Sequence, residues 1–354
     1  MNNFGIQIAG TGSYLPERVL SNRDLEDFLD TSDTWIQNRT GIRERHLAAD
    51  DEPTSHLAAH AAVRALDMAG MHPSEVQLII VATITPDRPF PNTACFVQKE
   101  IEAWNAACFS VEGACSGFVY ALDIGAAMLR SSGVANALII GAEKMSSLLD
   151  WQDRSTCVLF GDGAGAAVIK RCAPEQNCYL GATLGSNGRS ADLLHVPAGG
   201  SELPITPEIL QQRLQYLKMS GPEIFKQAVT SMVHAARTAL DMTGLSADEI
   251  RWLIPHQANI RIIKNVTQRL GLAPEQVYVN VQRTGNSSAA TIPLALDEVV
   301  RAGRVAPGDR ILLVAFGGGL TWGASVLRWP AGVDVPADTG ETNGQSDEKE
   351  RGET

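Results

Sequence analysis

Cys115 is the residue of this sequence best placed to act as a sulfur nucleophile. It stands between a short apolar run at 107–111 (ACFSV) and a segment in which Phe118, Ala121, Leu122, Gly125 and Leu129 recur at helical spacing. A thiol at such a strand-to-helix turn faces the unpaired N–H groups of the new helix, whose end carries about half a positive charge, and is biased towards thiolate. Gly113 and Gly117 are expected to permit the tight turn and close backbone approach. Three further groups could share a site with it. His256 follows the apolar run RWLI within PHQAN, and Asn286 lies in TGNSSAAT before a helical pattern. Gly317, Gly318 and Gly319 follow ILLVAF, where backbone N–H groups can face an oxyanion. Singly, each has an ordinary structural use as a buried thiol, an interior histidine, a turn-forming asparagine or a strand connection. Their chemistry depends on elements that bring them together.

An internal repeat provides those elements. ALDMAG at 65–70 recurs as ALDMTG at 239–244. At the same offset of 174 residues, EVQLII (75–80) falls on EIRWLI (249–254), ALD (121–123) on ALD (295–297), and ALIIGA (137–142) on ILLVAF (311–316). GAAVIKR (165–171) also resembles GASVLRW (323–329), at a shorter offset. A strand-helix-strand unit has thus been used twice, and the alternation of apolar strands with helices predicts an α/β fold of two pseudo-symmetric halves. Residues 1–175 form the half with the cysteine, and 176–330 the half with the histidine and asparagine. Residues 331–354, with seven acidic against two basic side chains and few large apolar ones, are expected to be a disordered tail. Cys115 begins the central helix of the first copy, and the matching helix, roughly 288–302, begins just after Asn286. Asn259 is expected to cap the helix that follows His256.

Composition removes several function classes. The 354 residues are 44% hydrophobic and 19% charged, as in a soluble globular protein of about two domains. The net charge of −11, of which −5 lies in the tail, disfavours nucleic acid as main partner. Six cysteines without a CxxC pair suggest neither a zinc site nor a disulfide framework. With no apolar run of the ~20 residues that span a bilayer and no leader-like start, a cytoplasmic location is expected. Arg39, Arg43 and Arg45 beside Trp35 suit a phosphate and a flat ring, or simply a solvated charged loop. His56 and His60 stand i, i+4, yet Leu57 replaces the zincin glutamate and no third ligand is evident, so surface histidines are expected. FGDGAGAAVIKR from Phe160 is not a dinucleotide loop, because AAVIK reads as a strand rather than a helix.

GTGSYLP (10–16), TSDTWIQNRTGIRERH (31–46), GACSGF (113–118), FGDGAGAAV (160–168), PHQAN (255–259), GNSSAAT (285–291) and AFGGGLTWG (315–323) together form a specific set. From Gly10 to about Trp329 the chain resembles the β-ketoacyl-acyl-carrier-protein synthase III family, thiolase-like enzymes that initiate type II fatty acid synthesis. The resemblance implies a layered α-β-α-β-α core and a Cys115, His256, Asn286 set, with the N–H groups of Cys115 and Gly318 as oxyanion hole. It places Trp35 and Arg154 around the adenine of coenzyme A, and Arg39, Thr31, Gly221 and Asn259 near its phosphates or pantetheine. Phe90 would cross a homodimer interface into the partner's acyl pocket, while Lys226, Arg261 and Arg269 would dock the acidic acyl carrier protein. The implied reaction loads a short acyl group from acyl-CoA onto Cys115. Malonyl-carrier protein then loses CO₂ and attacks it, with no metal or held cofactor. Two alternatives stay open: a related condensing enzyme of secondary metabolism with an unusual starter, and a non-catalytic binder of acyl-CoA or carrier protein.

Overall fold

The computed structural model describes residues 4–333, so the acidic segment from residue 334 onward lies outside the described residues. Two sheets organise the chain. The first runs Gly5–Tyr14, Asp162–Cys172, Asn136–Lys144, Leu78–Ala82 and Ala107–Val111 in spatial order. The second runs Tyr179–Ser186, Thr321–Arg328, Arg310–Gly317 and Trp252–Pro255. Their pairings correspond. Leu78–Ala82 is parallel to Asn136–Lys144 with Ile79 opposite Leu138, and Trp252–Pro255 is parallel to Arg310–Gly317 with Leu253 opposite Leu312. Both partners are shifted by the same 174 residues.

Burial on both faces explains why these strands read as continuous apolar runs. Ile80 and Ile139 of the first sheet, and Ile254 and Leu313 of the second, point into a shared central core. That core is filled by Phe118 and Leu122 of the helix Gly117–Ser131 and by Ile292, Leu296 and Val299 of the helix Thr291–Arg301. The alternate residues Ile79, Val81, Leu138 and Ile140 face outward onto Leu57, Ala61 and Leu66 of the helix Thr54–Ala69. Likewise Leu253, Leu312 and Val314 meet Ala228, Met232 and Ala236 of the helix Gly221–Thr243. Five layers result, helix and sheet alternating, with two pseudo-equivalent helices in the middle.

The repeat extends to backbone conformation. Short 3₁₀ turns at Ala114–Ser116 and Ser288–Ala290 introduce the two central helices, and Ala114 and Ser288 have φ of +45° and +48°. A side chain in that region costs about 1 to 3 kcal/mol. Gly113 and Gly117 have φ of −142° and −54°, so the turn's positive φ falls on Ala114 rather than on either glycine. Gly117 serves the close approach expected of it: a Cβ there would lie 3.0 Å from Ala82 Cβ.

Candidate active site

Cys115 sits in the 3₁₀ turn after the strand Ala107–Val111 and is only 6% exposed. Its N–H is among those a helix start leaves unpaired. Gly317, at the end of its strand, lies against it so closely that a Cβ would be 2.6 Å from Cys115 N. Burial pushes the thiol up to about 12, and the hydrogen bonds offered by Ser288 and by its own backbone only partly offset this. The helix-start bias towards thiolate is therefore outweighed in the empty site, because desolvation of a fully enclosed sulfur exceeds the effect of a few dipoles.

His256 begins just past the strand Trp252–Pro255, and its N–H donates to Val314 O at 2.8 Å, which continues the parallel ladder by one residue. The ring is buried, and burial pushes its pKa down to about 3, so the imidazole is neutral near pH 7. Nδ1 lies 2.7 Å from Thr291 Oγ1, at the start of the second central helix. Asn286 is fixed by backbone bonds on both sides: its N–H donates to Leu159 O at 2.9 Å, and its carbonyl accepts from Gly161 N at 3.1 Å. The glycine-rich segment that is not a nucleotide loop thus cradles Asn286, and its AAVIK portion lies within the strand Asp162–Cys172. Ser288 N–H donates to Asn286 Oδ1 at 2.9 Å, which assigns the amide and leaves its NH₂ as a free donor.

Cys115, His256 and Asn286 line one cavity of about 640 Å³ together with Gly317 and Phe316. Leu159, Leu194, Met219, Ile224 and Met232 add apolar wall, and Trp35, Arg39, Arg154, Gly221, Asn259 and Arg261 also line it. The exposed Arg39 and Arg154 mark its mouth, where their guanidinium groups lie 4.8 and 5.3 Å from the Trp35 ring centre. Arg154 also pairs with Asp30 at 3.3 Å. A flat ring between two cations, leading inward to a thiol, an imidazole and an amide, suits a thioester with an anionic, aromatic-tipped handle.

The 3-oxoacyl-[acyl-carrier-protein] synthase III profile matches residues 109–188, and the profile of that enzyme's C-terminal part matches residues 240–329. The chain is 49% identical to a β-ketoacyl-[acyl-carrier-protein] synthase III of Desulfitobacterium hafniense, over 92% of this chain and 98% of that one. It belongs to the β-ketoacyl-[acyl-carrier-protein] synthase III family. Among solved structures, the 3-oxoacyl-[acyl-carrier-protein] synthase III of Aquifex aeolicus matches with a TM-score of 0.85 and 46% identity, over 92% of this chain and all of that one. The priming β-ketosynthase of the R1128 polyketide pathway matches with a TM-score of 0.86 and 36% identity, over 94% of this chain and 97% of that one.

Not every position implied by the resemblance to this synthase III family falls on the cavity. Thr31 is not among the lining residues, and its Oγ1 is buried without a hydrogen-bond partner. Gly317, rather than Gly318, forms the wall beside Cys115. Phe90 is 85% exposed, and Lys226, Arg261 and Arg269 are exposed on the helices Gly221–Thr243 and Ile260–Leu270. Asn259 caps the latter helix by accepting from Arg261 N at 2.8 Å, and its NH₂ donates to Arg39 O at 3.1 Å. The arginine cluster needs a correction. Arg45 is fully buried and donates to Leu20 O, Asn22 Oδ1 and Val158 O, so it braces the fold rather than meeting a phosphate. His56 binds Glu100 at 2.6 Å and lies 3.1 Å from His60, and among the described residues no cluster of three metal-ligating groups occurs. Sequence reasoning passed over Glu143, Ser288 and Thr291. The last two lie inside GNSSAAT, and Glu143 is the lone charge at the end of the apolar run ALIIGAE.

Proposed function

We propose that this chain condenses a short-chain acyl-CoA with malonyl-acyl-carrier protein, releasing CO₂ and coenzyme A and initiating type II fatty acid synthesis. The observation that carries this reading is the convergence of Cys115, His256 and Asn286 on one cavity whose mouth presents Trp35 and two arginines. The half at 1–175 supplies the nucleophile, and the half at 176–330 supplies the two donors. In the first step the Cys115 sulfur bonds to the acyl carbon, the bond to the coenzyme A sulfur breaks, and the thiol proton ends on the departing sulfur. The N–H groups of Cys115 and Gly318 hold the oxyanion. In the second step the malonyl carboxylate leaves as CO₂, and its bonding electrons form an enolate whose carbon attacks the acyl group. The Cys115 sulfur is released and takes a proton from solvent.

Enolate stabilisation falls to the Asn286 NH₂ and to His256. The single proton of the Thr291 hydroxyl lies between His256 Nδ1 at 2.7 Å and Ser288 O at 3.0 Å. The role proposed for His256 requires this proton to go to Nδ1 rather than to the Ser288 carbonyl, leaving the ring proton on Nε2 as a donor. Because the ring is neutral, it stabilises the enolate without supplying an acid strong enough to quench the carbanion. Phe90, an apolar ring exposed in one chain, would be covered in a homodimer, and the exposed Lys226, Arg261 and Arg269 would meet the acidic carrier protein. Among the described residues no helix is long and apolar enough to cross a membrane.

The test is a Cys115→Ala variant: acylation by acetyl-CoA, read by intact mass, is lost, while malonyl-carrier protein is still decarboxylated. A stable acyl adduct on another cysteine of the wild-type chain would sink the assignment. The likeness to a polyketide priming synthase supports a second reading, a secondary-metabolite enzyme with a larger starter. A panel of acetyl-, longer straight-chain and branched acyl-CoAs separates the two.

A further inference from the structure

Glu143 is buried beneath the site and has no part in the chemistry above. It lies near the end of the strand Asn136–Lys144 and accepts four donors. Three come from the segment after the strand Leu78–Ala82: Thr83 Oγ1 at 3.1 Å, Ile84 N at 3.1 Å and Thr85 Oγ1 at 2.7 Å. The fourth crosses between the halves, from Ser288 Oγ at 3.0 Å. Ser288 in turn reaches both groups assigned to the enolate, Asn286 directly and His256 through Thr291. Its N–H orients the Asn286 amide at 2.9 Å, and its carbonyl accepts from the backbone N–H of Thr291, whose hydroxyl lies 2.7 Å from His256 Nδ1. It does so from a backbone conformation, φ +48°, that a serine adopts only where its surroundings impose it.

The repeat sharpens the contrast. At the offset of 174, Ser288 matches Ala114 and Glu143 matches Gly317. Each turn has a glycine pressed against its backbone, Gly317 on Cys115 and Gly141 on Ala289, but only the second is also gripped by a carboxylate through a side chain. We propose that Glu143 and Ser288 are positioning residues, Glu143 fixing Ser288 and Ser288 aiming the Asn286 amide and the His256 imidazole at the malonyl thioester. This rests on the condensation reading. Four converging donors around a fully enclosed carboxylate suit a clamp, since an acceptor so surrounded loses several hydrogen bonds at once if the turn moves.

The experiment uses the full chain and three variants: Glu143→Gln, Ser288→Ala and Ser288→Gly, the last removing the hydroxyl while suiting the positive φ. Two rates are measured, acylation by acetyl-CoA and decarboxylation of malonyl-carrier protein, together with the ring ¹⁵N shifts of His256, assigned by comparison with a His256→Asn variant. Decarboxylation kcat is expected to fall at least 30-fold in each variant with KM changed less than threefold. Acylation should fall at least tenfold less than decarboxylation. The single ring tautomer of the wild type should become a mixture in both Ser288 variants. Glu143→Gln combined with Ser288→Gly should be no slower than the worse single variant, since the two act through one bond. Equal losses in both half-reactions, or decarboxylation within threefold of wild type in Ser288→Gly, overturn the role. If the wild type decarboxylates no malonyl-carrier protein but the tautomer still changes, the positioning stands and the condensation reading fails. An unchanged tautomer in an inactive chain overturns both.

Discussion

Replacing Gly317 by alanine tests how the nucleophile is held. The added Cβ would stand 2.6 Å from Cys115 N, 3.1 Å from Ala114 Cβ and 3.2 Å from Cys115 Cα, where ordinary contacts begin near 3.4 Å. Two of these three atoms are backbone, so no side chain can swing aside, and the Cys115 turn must shift by roughly 0.8 Å to restore a normal contact at its nitrogen. Displacements near 1 Å cost about 100-fold in rate, and loss of one oxyanion donor costs about 100- to 1,000-fold. Acylation of Gly317→Ala by acetyl-CoA is therefore expected to slow by about two to three orders of magnitude, or about 3 to 4 kcal/mol of barrier. Decarboxylation, assigned in the proposed mechanism to His256 and Asn286, should fall less than tenfold. Quenched-flow acylation read by intact mass gives the first rate, and labelled CO₂ release the second. Overpacking costs about 1 to 3 kcal/mol of stability, so a melting curve must show that the variant is folded at the assay temperature. A Gly317→Ala enzyme acylated within threefold of wild type would show that this contact does not position the thiol.

Three further outcomes follow from the site. With the free thiol held near 12 by burial, the thiolate fraction at pH 8 is about 10⁻⁴, so iodoacetamide should label Cys115 about tenfold faster per pH unit from 7 to 10. A plateau below pH 9 would contradict the dominance of desolvation. Trp35→Ala should raise KM for acyl-CoA by about tenfold, as one flanked ring is worth about 1 to 2 kcal/mol, and leave KM for the carrier-protein substrate unchanged. Equal effects on both substrates would remove Trp35 from the adenine site. Thr291→Val should lower decarboxylation by about tenfold or more while Thr291→Ser restores it, because only the hydroxyl reaches His256 Nδ1; a valine variant as active as the serine one would reassign the ring proton.

The layered architecture was legible because both sheets are buried on both faces and repeat their apolar runs in register. The 174-residue offset carries ALDMAG onto ALDMTG and, in space, the 3₁₀ turn Pro73–Glu75 onto Ala247–Glu249. His256 and Asn286 were legible for the same reason, His256 standing just past a strand and Asn286 just before a helix whose twins could be found. What escaped depends on contacts between the halves. Arg45 looks like a surface cation because nothing local shows that Leu20, Asn22 and Val158 enclose it. The turn's positive φ falls on Ala114, a residue whose type does not announce it. The Cys115 thiol was read from its own helix start, whereas its state is set by an enclosure that includes Gly317 and Ser288, both more than 100 positions away.

The paired turns also give the chain an internal control. Ala289 holds the place in the second turn that Cys115 holds in the first, while the counterparts of His256 and Asn286 are Ala82 and Glu112. A thiol introduced as Ala289→Cys would therefore inherit a helix start and burial like those of Cys115, but neither donor. Duplication copied the scaffold for two reaction centres, and divergence equipped one of them. Reactivity compared between positions 115 and 289 of a single molecule would measure what the partners contribute, with fold, temperature and solvent held identical.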